Sequence, residues 1–147
     1  MLRQYSIGAA ASVSNIAIHA MVMVAVIRVT RIADELATSH QTVRLIAVMI
    51  ATVTVLMIAH LAEVIVWSLI YAVTNAAPEG SDLLYFAFVN YTTLGYGDII
   101  PTEELRLLGP MTAMNGVLLF GWSTAVMFDV LRAAMAQGAS DADRRAV

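Results

Sequence analysis

Three long apolar runs restrict the folds that this chain can adopt. They cover residues 7–29, 45–73 and 110–136. Each is long enough to cross a bilayer as a helix, because about 20 residues rising 1.5 Å each span a hydrocarbon core of roughly 30 Å. With 60% hydrophobic and 13% charged residues and a mean hydropathy of +0.78, the composition lies outside the soluble range. We therefore predict an all-α membrane protein with three transmembrane helices per chain.

Composition also excludes several kinds of site. Cysteine is absent, so neither disulfides nor thiolate metal sites are expected. A net charge of −3 gives no reason to expect nucleic acid as a partner. The first apolar run has an alternative interpretation as a signal peptide, which its N-terminal position and Arg3 favour. We expect it to be retained, because it is longer than the usual apolar region and no clear cleavage site follows it.

The segment between the second and third runs is too polar to span a bilayer and too apolar for an ordinary loop. Residues 75–82 (NAAPEGSD) are rich in turn formers and end in Ser81 and Asp82, either of which can cap a helix. Residues 83–92 (LLYFAFVNYT) then predict about three helical turns. A helix this short cannot cross the membrane, so we predict a re-entrant helix covered by protein or by a water-filled cavity.

Residues 92–98 (TTLGYGD) place two glycines directly after this short helix. Gly95 and Gly97 can adopt positive φ, which allows alternating residues to turn their carbonyls to the same side. Four such strands around an axis would form rings of oxygen that replace the water around a cation. The C-terminal end of the short helix would direct partial negative charge at the same axis, and Thr93 would add a hydroxyl at the inner end.

These residues resemble the selectivity-filter signature of potassium channels, with Leu94 where Val or Ile is commoner. The resemblance covers about residues 45–131. It includes the aromatic pore helix, Pro101 and residues 116–121 (GVLLFG), which are similar to the inner-helix hinge region of two-transmembrane channels. It implies a potassium-selective channel that conducts passively, is not an enzyme and has no cofactor. Because each chain carries one pore loop, it also implies a homotetramer in the lipid bilayer.

The resemblance assigns the site residues as well. The selectivity filter would comprise Thr93, Leu94, Gly95, Tyr96, Gly97 and Asp98, and the carbonyls of the first four would bind potassium, the one metal expected. Many relatives carry a pore-helix Glu that pairs with the filter Asp, but Val89 stands at that position. Asp98 or the filter backbone would then need another donor, such as Tyr85, Asn90, Tyr91 or water, and Glu63 could reach the same region. The sequence shows no arginine series for voltage sensing and does not indicate the gating stimulus.

The third run predicts a pore-lining face. If Gly116 is the hinge position, with Gly121 as a second flexible point, one helical face contains Val117, Phe120, Thr124, Phe128 and Leu131. We expect Thr124 to face the cavity and Phe128 and Leu131 to narrow the inner exit. Close packing of helices at the two glycines is the alternative interpretation.

Two polar pairs lie within the apolar runs. Asn15 and His19 share one face of the first run, and His60 and Glu63 share one face of the second. If Tyr5 and the aromatic residues at 67–71 are interfacial anchors, both pairs lie near the membrane midplane and can form one buried polar cluster. Its role is open between structural contacts, a proton-sensitive switch and a metal site.

Two other functions of the chain stay open: an intramembrane metal-binding protein using His19, His60 and Glu63, and a pore-domain subunit that does not conduct alone.

Arginine positions predict the orientation. Six of the eight flank the first connection or follow the last span, which places both in the cytoplasm and the N-terminus outside. The membrane that we expect is a prokaryotic plasma membrane. The predicted organisation is an additional N-terminal transmembrane helix (1–31), a cytoplasmic connection (32–44), a pore domain (45–136) and a short tail (137–147). Residues 75–108 would face outward with five acidic residues and one basic residue, a net charge of −4 that attracts cations.

Overall fold

The computed structural model describes the backbone of residues 1–35 and 41–146 and the side chains of residues 1–28 and 42–136. Within these residues all regular structure is helical: α1 (Leu2–Glu35), α2 (Gln41–Thr74), α3 (Leu83–Tyr91), a 3₁₀ turn (Glu103–Leu105) and α4 (Leu108–Ala146). Three segments are long and apolar enough to cross a membrane: Leu2–Arg28, Thr42–Thr74 and Glu103–Ala136. The predicted all-α, multi-pass membrane fold is confirmed.

The helices extend beyond the apolar runs. α1 continues to Glu35 and therefore into the predicted connection, of which residues 36–40 lie outside the described part of the chain. α4 continues through most of the predicted tail. Apolar runs indicate where a helix crosses lipid, and polar residues can prolong the same helix into water, so run limits and helix limits need not coincide. Pro110 lies in the first turn of α4, where its missing N–H has no helical partner in any case.

The short helix α3 begins where the sequence predicts. Asp82 is its N-cap, and the carboxylate accepts hydrogen bonds from the backbone N–H groups of Leu84 and Tyr85 at 3.1 and 3.0 Å. A cap of this kind stabilises a helix by about 1 kcal/mol. α3 ends after nine residues at Tyr91 and packs against both α2 and α4, so it folds back into the helix bundle.

The main core lies where α3 covers the end of α2. Trp67 and Tyr71 are fully buried there with Phe86. The expectation that the aromatic residues at 67–71 are interfacial anchors is therefore wrong for Trp67 and Tyr71, because α3 shields them from lipid. Their polar atoms are bonded within the chain: the indole N–H of Trp67 donates to Asn115 at 3.0 Å, and the hydroxyl of Tyr71 pairs with Thr112. Tyr5, by contrast, is half exposed on α1.

Candidate functional site

The segment of residues 92–98, called here the filter segment, leaves α3 with an alternating backbone. Thr93, Gly95 and Gly97 have φ values of 60°, 62° and 79°. This alternation is the geometry that lets carbonyls at successive positions face the same side. The glycines adopt it without steric cost, whereas a residue with a Cβ atom pays about 1–2 kcal/mol. The sequence predicted positive φ at the two glycines and missed Thr93, because a β-branched residue seldom adopts it.

Backbone hydrogen bonds from α3 hold this turn. The N–H of Thr93 donates to the carbonyl of Asn90 at 3.0 Å, and the N–H of Leu94 donates to the carbonyl of Val89 at 2.9 Å. Val89 itself is buried. The strained Thr93 is therefore fixed by the last turn of the short helix, which sets the direction in which the filter segment leaves it.

The filter segment is exposed along its whole length in the single chain. Leu94 is 53% exposed and Tyr96 is 69% exposed, although both are large and apolar. Irregular backbone at membrane depth is tolerated only where protein or a water-filled cavity lies beside it. The rest of the described chain does not cover this segment.

Asp98 has a hydroxyl partner, as expected from the absence of a pore-helix acid. The carboxylate of Asp98 raises the pKa of Tyr85 above its ordinary value, first as a hydrogen-bond acceptor for the Tyr85 hydroxyl, and burial and the charge of Asp98 act in the same direction. Tyr85 lies on the first turn of α3. The bond therefore links the two ends of the loop formed by α3 and the filter segment.

Behind α3 the two predicted polar pairs meet. His19 Nδ1 lies 2.7 Å from Oε1 of Glu63, and His60 Nδ1 lies 3.0 Å from Oε2 of the same carboxylate. Asn15 Nδ2 donates to the backbone carbonyl of Glu63 at 3.2 Å and to Oδ1 of Asn115 at 2.9 Å. Asn15, His19 and Glu63 are fully buried, so Glu63 faces protein and not lipid.

Two further side chains complete this arrangement. The hydroxyl of Tyr91 donates to Oε2 of Glu63, and Oγ of Ser123 lies 2.9 Å from Nε2 of His60 and 3.3 Å from Nε2 of His19. We call His19, His60, Glu63, Tyr91 and Ser123 the polar cluster. Its members come from α1, α2, α3 and α4, so it joins all four α-helices of the fold.

Sequence reasoning considered Tyr91 as a donor to the filter and did not include Ser123 or Asn115. The sequence did contain a pattern that identifies them. Thr112, Asn115 and Ser123 are separated by three and eight residues, so they share one face of α4. All three are buried. Polar residues at helical spacing within an apolar run mark the face that packs against protein.

The distances in the polar cluster fit hydrogen bonds better than a coordination sphere. Ligand atoms of His19, His60 and Glu63 all lie within 4.8 Å of one another, as sharing an ion would require. The two imidazole–carboxylate separations are 2.7 and 3.0 Å. Ligands of a tetrahedral zinc ion at about 2.0–2.1 Å from the metal are about 3.3 Å apart. These atoms are therefore close enough to share hydrogens directly.

The predicted pore-lining face of α4 is not covered by the rest of the chain. Val117, Phe120, Thr124 and Phe128 are exposed and Leu131 is half-buried. Phe120 lies at the edge of this face, with its ring centroid 4.7 Å from that of His60 and 5.3 Å from that of Tyr91. This ring is the contact between the predicted pore face and the polar cluster.

The two glycines of α4 differ in their surroundings. A Cβ atom at Gly116 would overlap the carbonyl oxygen of Tyr91, whereas a Cβ atom at Gly121 would meet nothing within 4 Å. α4 is continuous through both positions. Gly116 is therefore required for close packing of α4 against the end of α3.

Comparison with known protein families matches residues 59–133, about half of the chain, to a family described as ion channel. The match begins within α2, includes α3 and the filter segment, and ends within α4; α1 lies outside it. No curated protein and no solved structure matches the chain.

Proposed function

This chain belongs to the ion channel family, with a pore domain of the two-transmembrane potassium-channel type, and we propose that four copies form a potassium-selective channel that conducts passively. The observation that carries the proposal is the alternating positive φ at Thr93, Gly95 and Gly97 in an exposed segment. Stacked carbonyl rings of this kind replace the hydration shell of potassium. The C-terminal dipole of α3 would stabilise the ion below them.

A ring of copies would also account for the surfaces that one chain leaves open. The filter segment and the pore-lining face of α4 are both exposed, and four-fold packing would bring each against its symmetry mates. The carbonyls of Thr93, Leu94, Gly95 and Tyr96 are then the proposed potassium ligands. Transport of this kind makes and breaks no covalent bonds, so we infer that the chain is not an enzyme.

The proposed gate lies on the same face of α4. Thr124 would offer its hydroxyl to a hydrated ion, and Phe128 with Leu131 would narrow the cytoplasmic exit to a constriction that excludes water. Gly121 has free space around it and is the better candidate for a bending point, since Gly116 is held against Tyr91. The proposed orientation places the N-terminus outside, and Glu79, Asp82 and Asp98 then concentrate cations at the outer mouth.

The test is a flux assay with the purified chain in liposomes, comparing potassium and sodium. We expect potassium flux well above sodium flux, and loss of selectivity or of flux in Gly97→Ala, because a Cβ atom at positive φ forces the filter backbone to change. Equal permeability to both ions in the wild-type chain contradicts potassium selectivity.

Gly80 provides a matched control. Its φ is 78°, against 79° at Gly97, and a Cβ atom at either position would meet nothing within 4 Å. Gly80→Ala therefore imposes the same local strain in a loop outside the filter segment, and we expect its ion selectivity to equal that of the wild type. If both variants lose flux to the same extent, the effect of Gly97→Ala reflects strain alone and the filter assignment loses its support.

A further inference from the structure

The number of hydrogen-bonded pairs in the polar cluster can be compared with the number of hydrogens that its side chains supply. Glu63 oxygens pair with Nδ1 of His19, with Nδ1 of His60 and with the hydroxyl of Tyr91. Ser123 Oγ pairs with the Nε2 atoms of both histidines. These five pairs need five hydrogens. An ionised Glu63 and two neutral imidazoles leave four, one on each imidazole and one on each hydroxyl.

One pair therefore lacks a hydrogen unless the cluster holds an additional proton. The proton can reside on an imidazole beside the Glu63 carboxylate, or on Glu63 beside two neutral imidazoles; both arrangements contain the same number of hydrogens and have no net charge. The additional contact of His60 Nδ1 with Tyr91, at 2.9 Å, uses the hydrogen already directed at Glu63 and needs no further one.

Charge leads to the same requirement. Glu63 is fully buried, and an ionised carboxylate at membrane depth is costly without a cation beside it. The facing groups are His19 from α1, His60 from α2 and Tyr91 from α3, while α4 contributes the hydroxyl of Ser123 and no acid or base. In the described part of the chain, the hydrogen bonds and ring contacts of these five residues involve no arginine. The compensating charge is therefore one proton.

We propose that the polar cluster is a binding site for one exchangeable proton, and that this proton holds α1 and the end of α3 in the conducting arrangement. His60 is the exchange point, because its side chain is 12% exposed whereas His19 and Glu63 are fully buried. The effect on conduction rests on the proposed channel function; the proton site itself does not.

Loss of the proton has a defined structural consequence. It leaves an uncompensated carboxylate and one pair of facing lone pairs, which lies between an imidazole nitrogen of His19 or His60 and either Glu63 or Ser123. His19 is the member that α1 contributes, so loss of the proton weakens the attachment of α1 to the pore helices. Tyr91 shares the same carboxylate and directly precedes the filter segment. We therefore expect ion flux to fall as pH rises through the titration of this proton.

The proton is measured directly by nitrogen-15 NMR of histidine-labelled protein in bilayers. The chain has three histidines, so the His40→Gln variant leaves only the two of the cluster. We expect an imidazolium, or a proton shared between imidazole and carboxyl, at neutral pH, and the loss of one proton per chain in a single transition as pH rises. Two neutral imidazoles beside an ionised Glu63 at every pH, or a proton that never exchanges across about pH 5–9, would overturn the proposal.

Two variants connect the proton to flux. Glu63→Gln removes the charge and supplies amide hydrogens, so both histidines are expected to be neutral at pH 7 and the pH dependence of flux to be lost. Ser123→Ala is the milder change, because it removes one hydroxyl hydrogen and the two pairs that Ser123 forms. The three remaining pairs then need no additional hydrogen, and we expect the proton to be lost at lower pH. His40→Gln serves as the control and should keep the wild-type flux profile.

Zinc titration separates a proton site from a metal site. We expect calorimetry to detect no zinc binding that depends on His19 or His60. Stoichiometric zinc binding with proton release, abolished by His19→Gln and retained in His40→Gln, would show a metal centre and overturn the proton site. If the NMR transition is found but flux is absent in every variant, the proton site stands and the channel function fails, so the two proposals are distinguished.

Discussion

The regions on either side of Tyr91 differ in how their polar groups are satisfied. The filter segment is exposed along its length and has positive φ at alternate residues. The polar cluster is almost entirely buried, and its side chains are bonded to one another within a single chain. The two regions share one residue, because Tyr91 both ends α3 and donates to Glu63.

This difference separates what one chain determines from what an assembly determines. Lipid offers no hydrogen bonds, so buried polar groups must find partners inside the protein, as the polar cluster does. The carbonyls of the filter segment have no such partners in one chain. Ions, water or neighbouring chains have to supply them. The polar cluster therefore stabilises the fold of the chain, whereas the filter segment needs partners from outside the single chain.

The largest expected effect comes from Gly116→Ala, which acts at the junction of the two regions. The new methyl group would overlap the carbonyl oxygen of Tyr91 and lie 3.0 Å from its carbonyl carbon. The backbone at the end of α3 cannot rotate away as a side chain can. Overpacking in a core costs about 1–3 kcal/mol and sometimes more, and we expect the upper part of that range, measured by chemical unfolding in detergent, with loss of flux.

Gly121→Ala is the matched control in the same helix. A Cβ atom there meets nothing within 4 Å, and alanine favours a helix over glycine by about 1 kcal/mol, so the single chain should be as stable as the wild type or slightly more stable. Damage equal to that of Gly116→Ala would mean that a neighbouring chain packs against Gly121.

The sequence was sufficient to predict the elements whose cause is local. Ser81 or Asp82 followed by an aromatic run predicts α3 and a cap at its start, and three apolar runs predict the three spans. Positive φ at Thr93 was not predictable in this way. It arises from hydrogen bonds to Asn90 and Val89, which override the preference of a β-branched residue.

The composition of the polar cluster was only partly predictable, for a different reason. Helical spacing identifies which polar residues share a face on one helix, and so the two pairs on α1 and α2 were found. It does not identify which helix covers that face. Trp67 and Tyr71 were therefore assigned to the lipid interface, although α3 and α4 bury them and bond their polar atoms. Aromatic residues near the end of a span have the same pattern in both situations.

A smaller effect is expected from Tyr91→Phe, which removes the bond between the two regions and leaves the ring in place. The hydroxyl donates to a carboxylate, and a hydrogen bond to a charged group is worth about 1.5–3 kcal/mol. We expect a loss of about that size in the free energy of unfolding, measured in detergent, together with reduced potassium flux.

Tyr71→Phe is the comparison, since Tyr71 is as fully buried but pairs with the neutral Thr112. Thr112 also donates to the carbonyl of Leu108, so it keeps a partner, and the expected loss is about 0.5–1.5 kcal/mol. Equal losses of unfolding free energy in the two variants would indicate that the charge of Glu63 does not strengthen the hydrogen bond of Tyr91. The polar cluster would then not specifically stabilise the filter segment.

The smallest effect is expected from Tyr85→Phe, which acts on the exposed region alone. Hydrogen bonding to Asp98 raises the pKa of Tyr85 above the ordinary tyrosine value of about 10. Because the folded pKa is the higher one, the stabilisation is fully present below about pH 10 and is lost as pH rises through the folded pKa. We therefore expect Tyr85→Phe to lower the unfolding midpoint by a small amount at neutral pH, where the stabilisation is present, and to flatten the decline in alkaline solution by the same small amount. The same substitution in an Asp98→Asn background should add nothing to that slope. An equal flattening in both backgrounds would show that Asp98 is not the partner responsible.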